Sequence, residues 1–122
     1  MPTFDTIANA YITAWNARDA DRAQAVAAAF APDATYTDPL ADVSGRAAIA
    51  ELIGGAQHQF AGWTFRLAGP VDGHHGQARF TWALGPDAAG EAPVVGFDVV
   101  TLDDDGLITS VLGFLDRVPA AA

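Results

Sequence analysis

Apolar residues near the start of the chain recur at helical spacing, at Phe4, Ile7, Ala8, Tyr11 and Trp15, with Thr3 placed to cap and Asp5 in the first turn. This predicts an amphipathic helix over 4–17. Asn16-Ala17-Arg18-Asp19 reads as a turn, and the alanine-rich run from Ala20 to Phe30 as a second helix ended by Pro32. Ala34-Thr35-Tyr36-Thr37-Asp38 has strand composition, and Pro39 biases Asp38 itself toward an extended backbone. After Ser44-Gly45 a third short helix is expected over 46–53, with Gly54-Gly55 as its stop.

Beyond residue 60 the period falls to two. Trp63, Phe65 and Leu67 alternate with Thr64 and Arg66, and Ala78, Phe80, Trp82 and Leu84 alternate with Gln77, Arg79 and Thr81. Turns are expected at 69–76 and at 85–90, both rich in glycine and each with a proline. Strands near 93–102 and 107–116 follow, joined at Asp103-Asp104-Asp105-Gly106, whose Asp-Gly pair is a hairpin signal. Helices first and an antiparallel sheet afterwards predict an α+β domain in which the helices cover one face of the sheet.

The chain has 122 residues, 51% of them hydrophobic, which fits one domain over 1–122 with a real core. No apolar run reaches membrane-spanning length and no signal-peptide pattern opens the chain, so a cytoplasmic protein is expected. A net charge of −9, with six arginines and no lysine, argues against nucleic acid as a partner. Without cysteine or lysine, and with only Ser44 and Ser110 as serines, few nucleophiles remain. Chemistry falls to carboxylates, histidines and tyrosines.

Three such residues sit where apolar or neutral ones would be easier. Tyr11 lies on the apolar stripe of the first helix, Asp38 closes a strand, and Asp98 interrupts Val94-Val95-Gly96-Phe97-Asp98-Val99-Val100. Alternation gives Asp98 the company of Val94, Gly96, Val100 and Leu102, a setting that should favour its protonated form. A small hydrophobic ligand would find aromatic walls in Trp15, Phe30, Trp63, Phe80, Trp82 and Phe114. Ordinary structural roles remain open for all of these: a core tyrosine, a turn-forming Asp38, an Asp98 paired with Arg66 or Arg79, and aromatic residues that are simply core. His74-His75 reads as a solvated turn, Asp103-Asp104-Asp105-Gly106 as a turn and not a calcium loop, and His58 as a surface or capping residue.

The order Tyr11-Ile12-Thr13-Ala14-Trp15-Asn16-Ala17-Arg18-Asp19, then Phe30-Ala31-Pro32-Asp33-Ala34-Thr35-Tyr36-Thr37-Asp38-Pro39, then Gly45-Arg46-Ala47-Ala48-Ile49 and Asp103-Asp104-Asp105-Gly106-Leu107-Ile108, resembles the nuclear transport factor 2-like superfamily over about residues 4–117. Its ketosteroid isomerases and SnoaL-type polyketide cyclases are the nearest look-alikes. The resemblance implies a curved antiparallel sheet whose concave face is covered by the N-terminal helices, a cystatin-like cone. It also implies an isomerase that needs no cofactor or metal and acts on a steroid-like or polyketide-like carbonyl compound. Asp38 would be the general base, and Tyr11 with a protonated Asp98 would donate to the substrate oxygen, an assignment of roles taken from ketosteroid isomerase. The isomerases support that tyrosine with further tyrosines, where this chain is expected to have Phe30 and Ile53. A non-catalytic binding module, a cyclase and an epoxide hydrolase share the fold. A homodimer through the sheet is expected too, and the strand at 93–102 is apolar on both faces, with Val95, Phe97 and Val99 opposite Asp98.

Overall fold

A computed structural model describes residues 2–86 and 90–119. Helix α1 (Phe4–Asn16) starts where the Thr3 hydroxyl accepts the Thr6 N–H at 3.1 Å, and it buries Ile7, Ala8, Tyr11, Ala14 and Trp15. A single 3-10 turn at Asp19–Asp21 leads into α2 (Arg22–Ala29). The second helix is therefore shorter than its alanine content predicts: Phe30 already belongs to strand β1 (Phe30–Asp38). Pro32 does not end a helix but lies inside that strand, where the register slips between Phe30 and Thr35. A residue without an N–H fits such an irregularity and would break a regular ladder.

Strand β2 (Ala41–Ser44) returns antiparallel to β1, and α3 (Arg46–Gln59) follows. The expected stop at Gly54-Gly55 is absent, and the helix runs straight through both glycines. Two glycines in a helix interior cost about 1 kcal/mol each, whereas fully burying Ile49 and Ile53 gains roughly 1.5–3 kcal/mol each, so packing wins. Gly54 also has a local use. A Cβ there would lie 3.0 Å from Arg22 Nη1, and Arg22 crosses at that point to donate to Gln57 Oε1. His58 sits exposed on the last turn of this helix.

The remaining strands are β3 (Thr64–Leu67), β4 (Asp72–His74), β5 (Gln77–Gly85), β6 (Val94–Leu102) and β7 (Ile108–Arg117). They form one open, curved sheet in the order β2-β1-β7-β6-β5-β3, with β4 also pairing to β5. The sheet is mixed, since β1 runs parallel to β7 and every other pair is antiparallel. His74 and His75 are exposed at the β4–β5 turn. The β6–β7 turn is the expected hairpin: Asp103 Oδ1 accepts from Asp105 and Leu107 N–H, and Gly106 takes φ +81°. Of the turn expected at 85–90, residues 87–89 lie outside the described residues. Among the described residues no helix is long and apolar enough to cross a membrane.

Asn16, at the end of α1, fastens the helix to the sheet edge, donating to the Phe65 carbonyl at 2.9 Å and accepting the Phe65 N–H at 2.8 Å. Gln57 of α3 donates to the carbonyls of Trp15 and Ala17, both at 2.8 Å. Both amides fix the C-terminal half of α1, where Tyr11 and Trp15 leave the helix toward the sheet.

Candidate active site

Strand register brings the two singled-out carboxylates together. Thr37 pairs with Leu112, which sets Asp38 beside Gly113, and Asp98 pairs with Gly113 from the other side. A Cβ on Gly113 would lie 2.9 Å from Asp98 Oδ1 and 3.2 Å from Asp38 Cβ. Only a residue without a side chain leaves room for both. Gly96 plays the same part for Trp82, whose indole lies 2.1 Å from where a Cβ would stand. Gly96→Ala is therefore expected to push the indole off Asp98 and cost roughly 1–3 kcal/mol, read by denaturant unfolding against the wild type.

Asp98 is 1% exposed, and its Oδ2 accepts the Tyr11 hydroxyl at 2.7 Å and the Trp82 indole N–H at 3.1 Å. Burial pushes its carboxyl up to about 6, against the downward pull of those two donors and with a smaller push from Asp38. Burial likewise raises the Tyr11 phenol well above its ordinary value, reinforced by the Asp98 charge. Tyr36 donates to Asp38 Oδ2 at 2.6 Å, and its phenol is raised mainly by burial and then by that bond. Asp38 Oδ1 takes the backbone N–H groups of Leu40 at 2.7 Å and Ala41 at 2.9 Å, the turn that begins β2. A carboxylate offers about four acceptor positions, and among the described residues Asp38 receives two donors on Oδ1 and one on Oδ2.

Tyr11, Tyr36 and Asp38, together with Trp15 and Trp82, line a cavity of about 670 Å³ between α1, α3 and the sheet. Apolar side chains from α3 (Leu52, Ala56), from the β1–β2 region (Leu40, Val43) and from β3 and β5–β7 (Phe65, Leu84, Val94, Leu115) make up most of the rest. The volume suits a ligand of several rings. Asp98 does not line it, being covered by its partners.

Residues 8–111 match the SnoaL-like domain family. The chain belongs to this family. A steroid Δ-isomerase of Nocardioides simplex is 42% identical to this SnoaL-like chain over 93 residues, 74% of the chain and 73% of the relative. A solved structure of a candidate isomerase of the SnoaL-like family from Agrobacterium tumefaciens strain C58 is 43% identical, with a TM-score of 0.85 over 93% of this chain and 97% of that one. A candidate ketosteroid isomerase from Kribbella flavida DSM 17836, at 20% identity and TM-score 0.68 over 96% of this chain and 80% of that one, shares the fold.

Within this SnoaL-like domain the structure brings Tyr11, Asp38 and Asp98 into one cluster, and it puts Trp15 and Trp82 on the cavity wall. It moves the other expected wall residues elsewhere. Phe30 and Phe80 are buried behind Tyr11, with ring centroids 5.8 and 5.2 Å from it, and they orient the phenol without lining the cavity. Trp63 precedes β3, so strand alternation does not govern it, and it stacks on Phe60 at 5.2 Å from outside the wall. Phe114 is a correction of phase: Gly113 and Leu115 face the helices, which leaves Phe114 on the opposite face, 58% exposed. Arg79 pairs with Asp72 at the surface, and the hydrogen bonds on Asp98 come from Tyr11 and Trp82.

Tyr36 is the residue that sequence reasoning missed. Beside the Phe30 and Ile53 expected where the isomerases have tyrosines, the site holds the second of the chain's two tyrosines, on the cavity wall with Tyr11 and bonded to Asp38. The signal was available, because a residue two before Asp38 on the same strand shares its face.

Proposed function

We propose that the protein is an isomerase of the ketosteroid isomerase type, moving a proton next to the carbonyl of a hydrophobic substrate without a cofactor. The observation that carries this reading is the opening of Tyr11 and Asp38 onto one apolar cavity, with the Tyr11 hydroxyl held against a buried carboxyl pushed up to about 6. Asp38 Oδ2 takes the proton from carbon, the C–H electron pair becomes the enolate C=C bond, and the same proton returns to a different carbon. Tyr11 donates to the enolate oxygen. As a carboxylate Asp98 can only accept, so the Tyr11 hydrogen is spent on it; once protonated, Asp98 donates to the Tyr11 oxygen and releases that hydrogen to the cavity. Asp98 thus serves the substrate through Tyr11. The steroid Δ-isomerase relative supports a fused-ring ketone as substrate. Incubation with androst-5-ene-3,17-dione in the presence of EDTA should give saturable growth of conjugated-enone absorbance; tight binding of the steroid with no such growth would overturn the reading.

One observation favours a second reading, a binding protein without chemistry. Asp38 carries three hydrogen bonds that also serve the β1–β2 turn. Under that reading Asp38 builds the cavity rim, and its replacement changes affinity and nothing else.

For assembly, we propose a homodimer across the sheet face that the helices leave open. Leu112 and Phe114 are exposed there, and Val95, Phe97 and Val99 are half-buried beside them. Phe114→Asp should convert a dimer to a monomer in light scattering after size exclusion, and a wild-type monomer at high concentration would remove the proposal.

A further inference from the structure

Trp15 is built into the wall of the cavity more firmly than a space-filling aromatic needs to be. It is 6% exposed, its carbonyl is held by Gln57 at 2.8 Å, and its ring is tilted against Tyr11, Tyr36 and Phe65 with centroids 6.2, 5.6 and 5.2 Å away. Yet its indole Nε1 is buried with no hydrogen-bond partner among the described residues. The contrast with Trp82, which spends its N–H on Asp98, is direct. An indole nitrogen can only donate, and a buried donor left unpaired is uncommon enough to need a reason.

A phenol stands beside it, the Tyr11 ring centroid lying 6.2 Å from that of the indole. Tyr11 gives its hydrogen to Asp98, which leaves lone pairs on its oxygen, and donation from Trp15 works against the upward push that burial exerts on the Tyr11 phenol. Both side chains line the cavity.

We propose that Trp15 is a positioning residue of the oxyanion site, its indole N–H completing a hydrogen bond to the Tyr11 oxygen when Tyr11 turns its own hydrogen toward an anionic oxygen in the cavity. The free protein then carries an unspent donor that a neutral apolar ligand cannot use and an enolate or phenolate can, by way of Tyr11. The proposal rests on the isomerase reading only for the statement that the natural anion is an enolate. Charge drawn onto the Tyr11 oxygen strengthens the bond from Trp15, so the effect grows with the negative charge on the ligand.

The test uses 4-nitrophenol, whose bound ionisation state is visible by its absorbance, with the full chain labelled in nitrogen-15. The indole N–H resonance of Trp15, assigned by its loss in Trp15→Phe, is expected to move downfield on saturation, while that of Trp63 stays in place. Phenolate affinity is expected to fall roughly tenfold in Trp15→Phe, the worth of one hydrogen bond to a charged group. Because Trp15→Phe also removes volume, a second variant replaces Trp15 with benzothienylalanine, which keeps the bicyclic shape and lacks the N–H; it should show the same fall. An unmoved Trp15 resonance at saturation, wild-type affinity in the benzothienylalanine variant, or no saturable binding of the phenolate overturns the proposal. A shifted Trp15 resonance in a protein that converts no β,γ-unsaturated ketone upholds it and overturns the isomerase reading; turnover with an unmoved resonance does the reverse.

Discussion

Asp38→Asn is expected to lower turnover of androst-5-ene-3,17-dione by about 10²–10⁴-fold, the usual contribution of a positioned general base. Stability should stay within roughly 1 kcal/mol of the wild type, as for substitutions that keep shape and hydrogen bonds. The asparagine oxygen can still accept the Leu40 and Ala41 N–H groups that shape the turn. The amide nitrogen then faces the Tyr36 hydroxyl, which can rotate from donor to acceptor. What vanishes is the basic oxygen. Steady-state kinetics beside urea unfolding would separate loss of chemistry from loss of fold, and undiminished turnover would remove Asp38 as the base. A second readout follows from the coupling of the two carboxylates: Asp38 contributes to the upward push on Asp98, so the variant should titrate Asp98 at a lower pH in carbon-13 spectra.

How far the chain could be read before folding depended on whether a residue's neighbours in sequence are also its neighbours in space. Helix α1 and the alternation of β6 were legible, because the burial of Ile7, Ala8, Tyr11 and Trp15, and of Val94, Gly96, Asp98 and Val100, follows local periodicity. The hairpin at Gly106 was legible from local turn chemistry. Helix α3 was not. Its passage through Gly54-Gly55 depends on Ile49 and Ile53 finding the core and on Arg22 needing space, contacts that no window of sequence contains. The parallel pairing of β1 with β7 joins residues more than seventy positions apart, and the wrong phase for Phe114 shows how alternation leaves open which face meets the helices. In the site itself the oddly placed Tyr11, Asp38 and Asp98 could be found by their cost. Tyr36 was hidden, because a tyrosine in a strand costs nothing and draws no notice. Gly96 and Gly113 looked like ordinary weak points of strands until the register showed Trp82 over one and two carboxylates beside the other.

Asp98→Asn should stabilise the protein progressively as the pH rises. The folded Asp98 carboxyl is held at about 6, above its ordinary 3.8, chiefly by burial. A raised acid favours the folded state when protonated, so its stabilising contribution is full below 3.8 and is lost as pH climbs through about 6. At 1.36 kcal/mol for each pH unit, the loss amounts to roughly 3 kcal/mol, most of it accumulating between about pH 4 and 7. Asparagine keeps an oxygen for Tyr11 and Trp82 and has no proton to lose, so the gap between variant and wild type should widen by that amount over the same window. Any constant cost of placing the amide beside Gly113 cancels in this pH dependence. Urea unfolding of both proteins from pH 4 to 8 checks it, and parallel curves would show that Asp98 titrates normally in the fold. The same proton governs function, because only a protonated Asp98 can donate to the Tyr11 oxygen and free the Tyr11 hydrogen for the cavity. Binding of 4-nitrophenolate to the wild type should therefore weaken as pH rises above about 6, in step with the loss of stability, and in Asp98→Asn that step should disappear from both measurements. The protein retains at this position a group that costs it stability near neutral pH, and a carboxyl poised to take up a proton when an anion arrives is the physical reason that fits both effects.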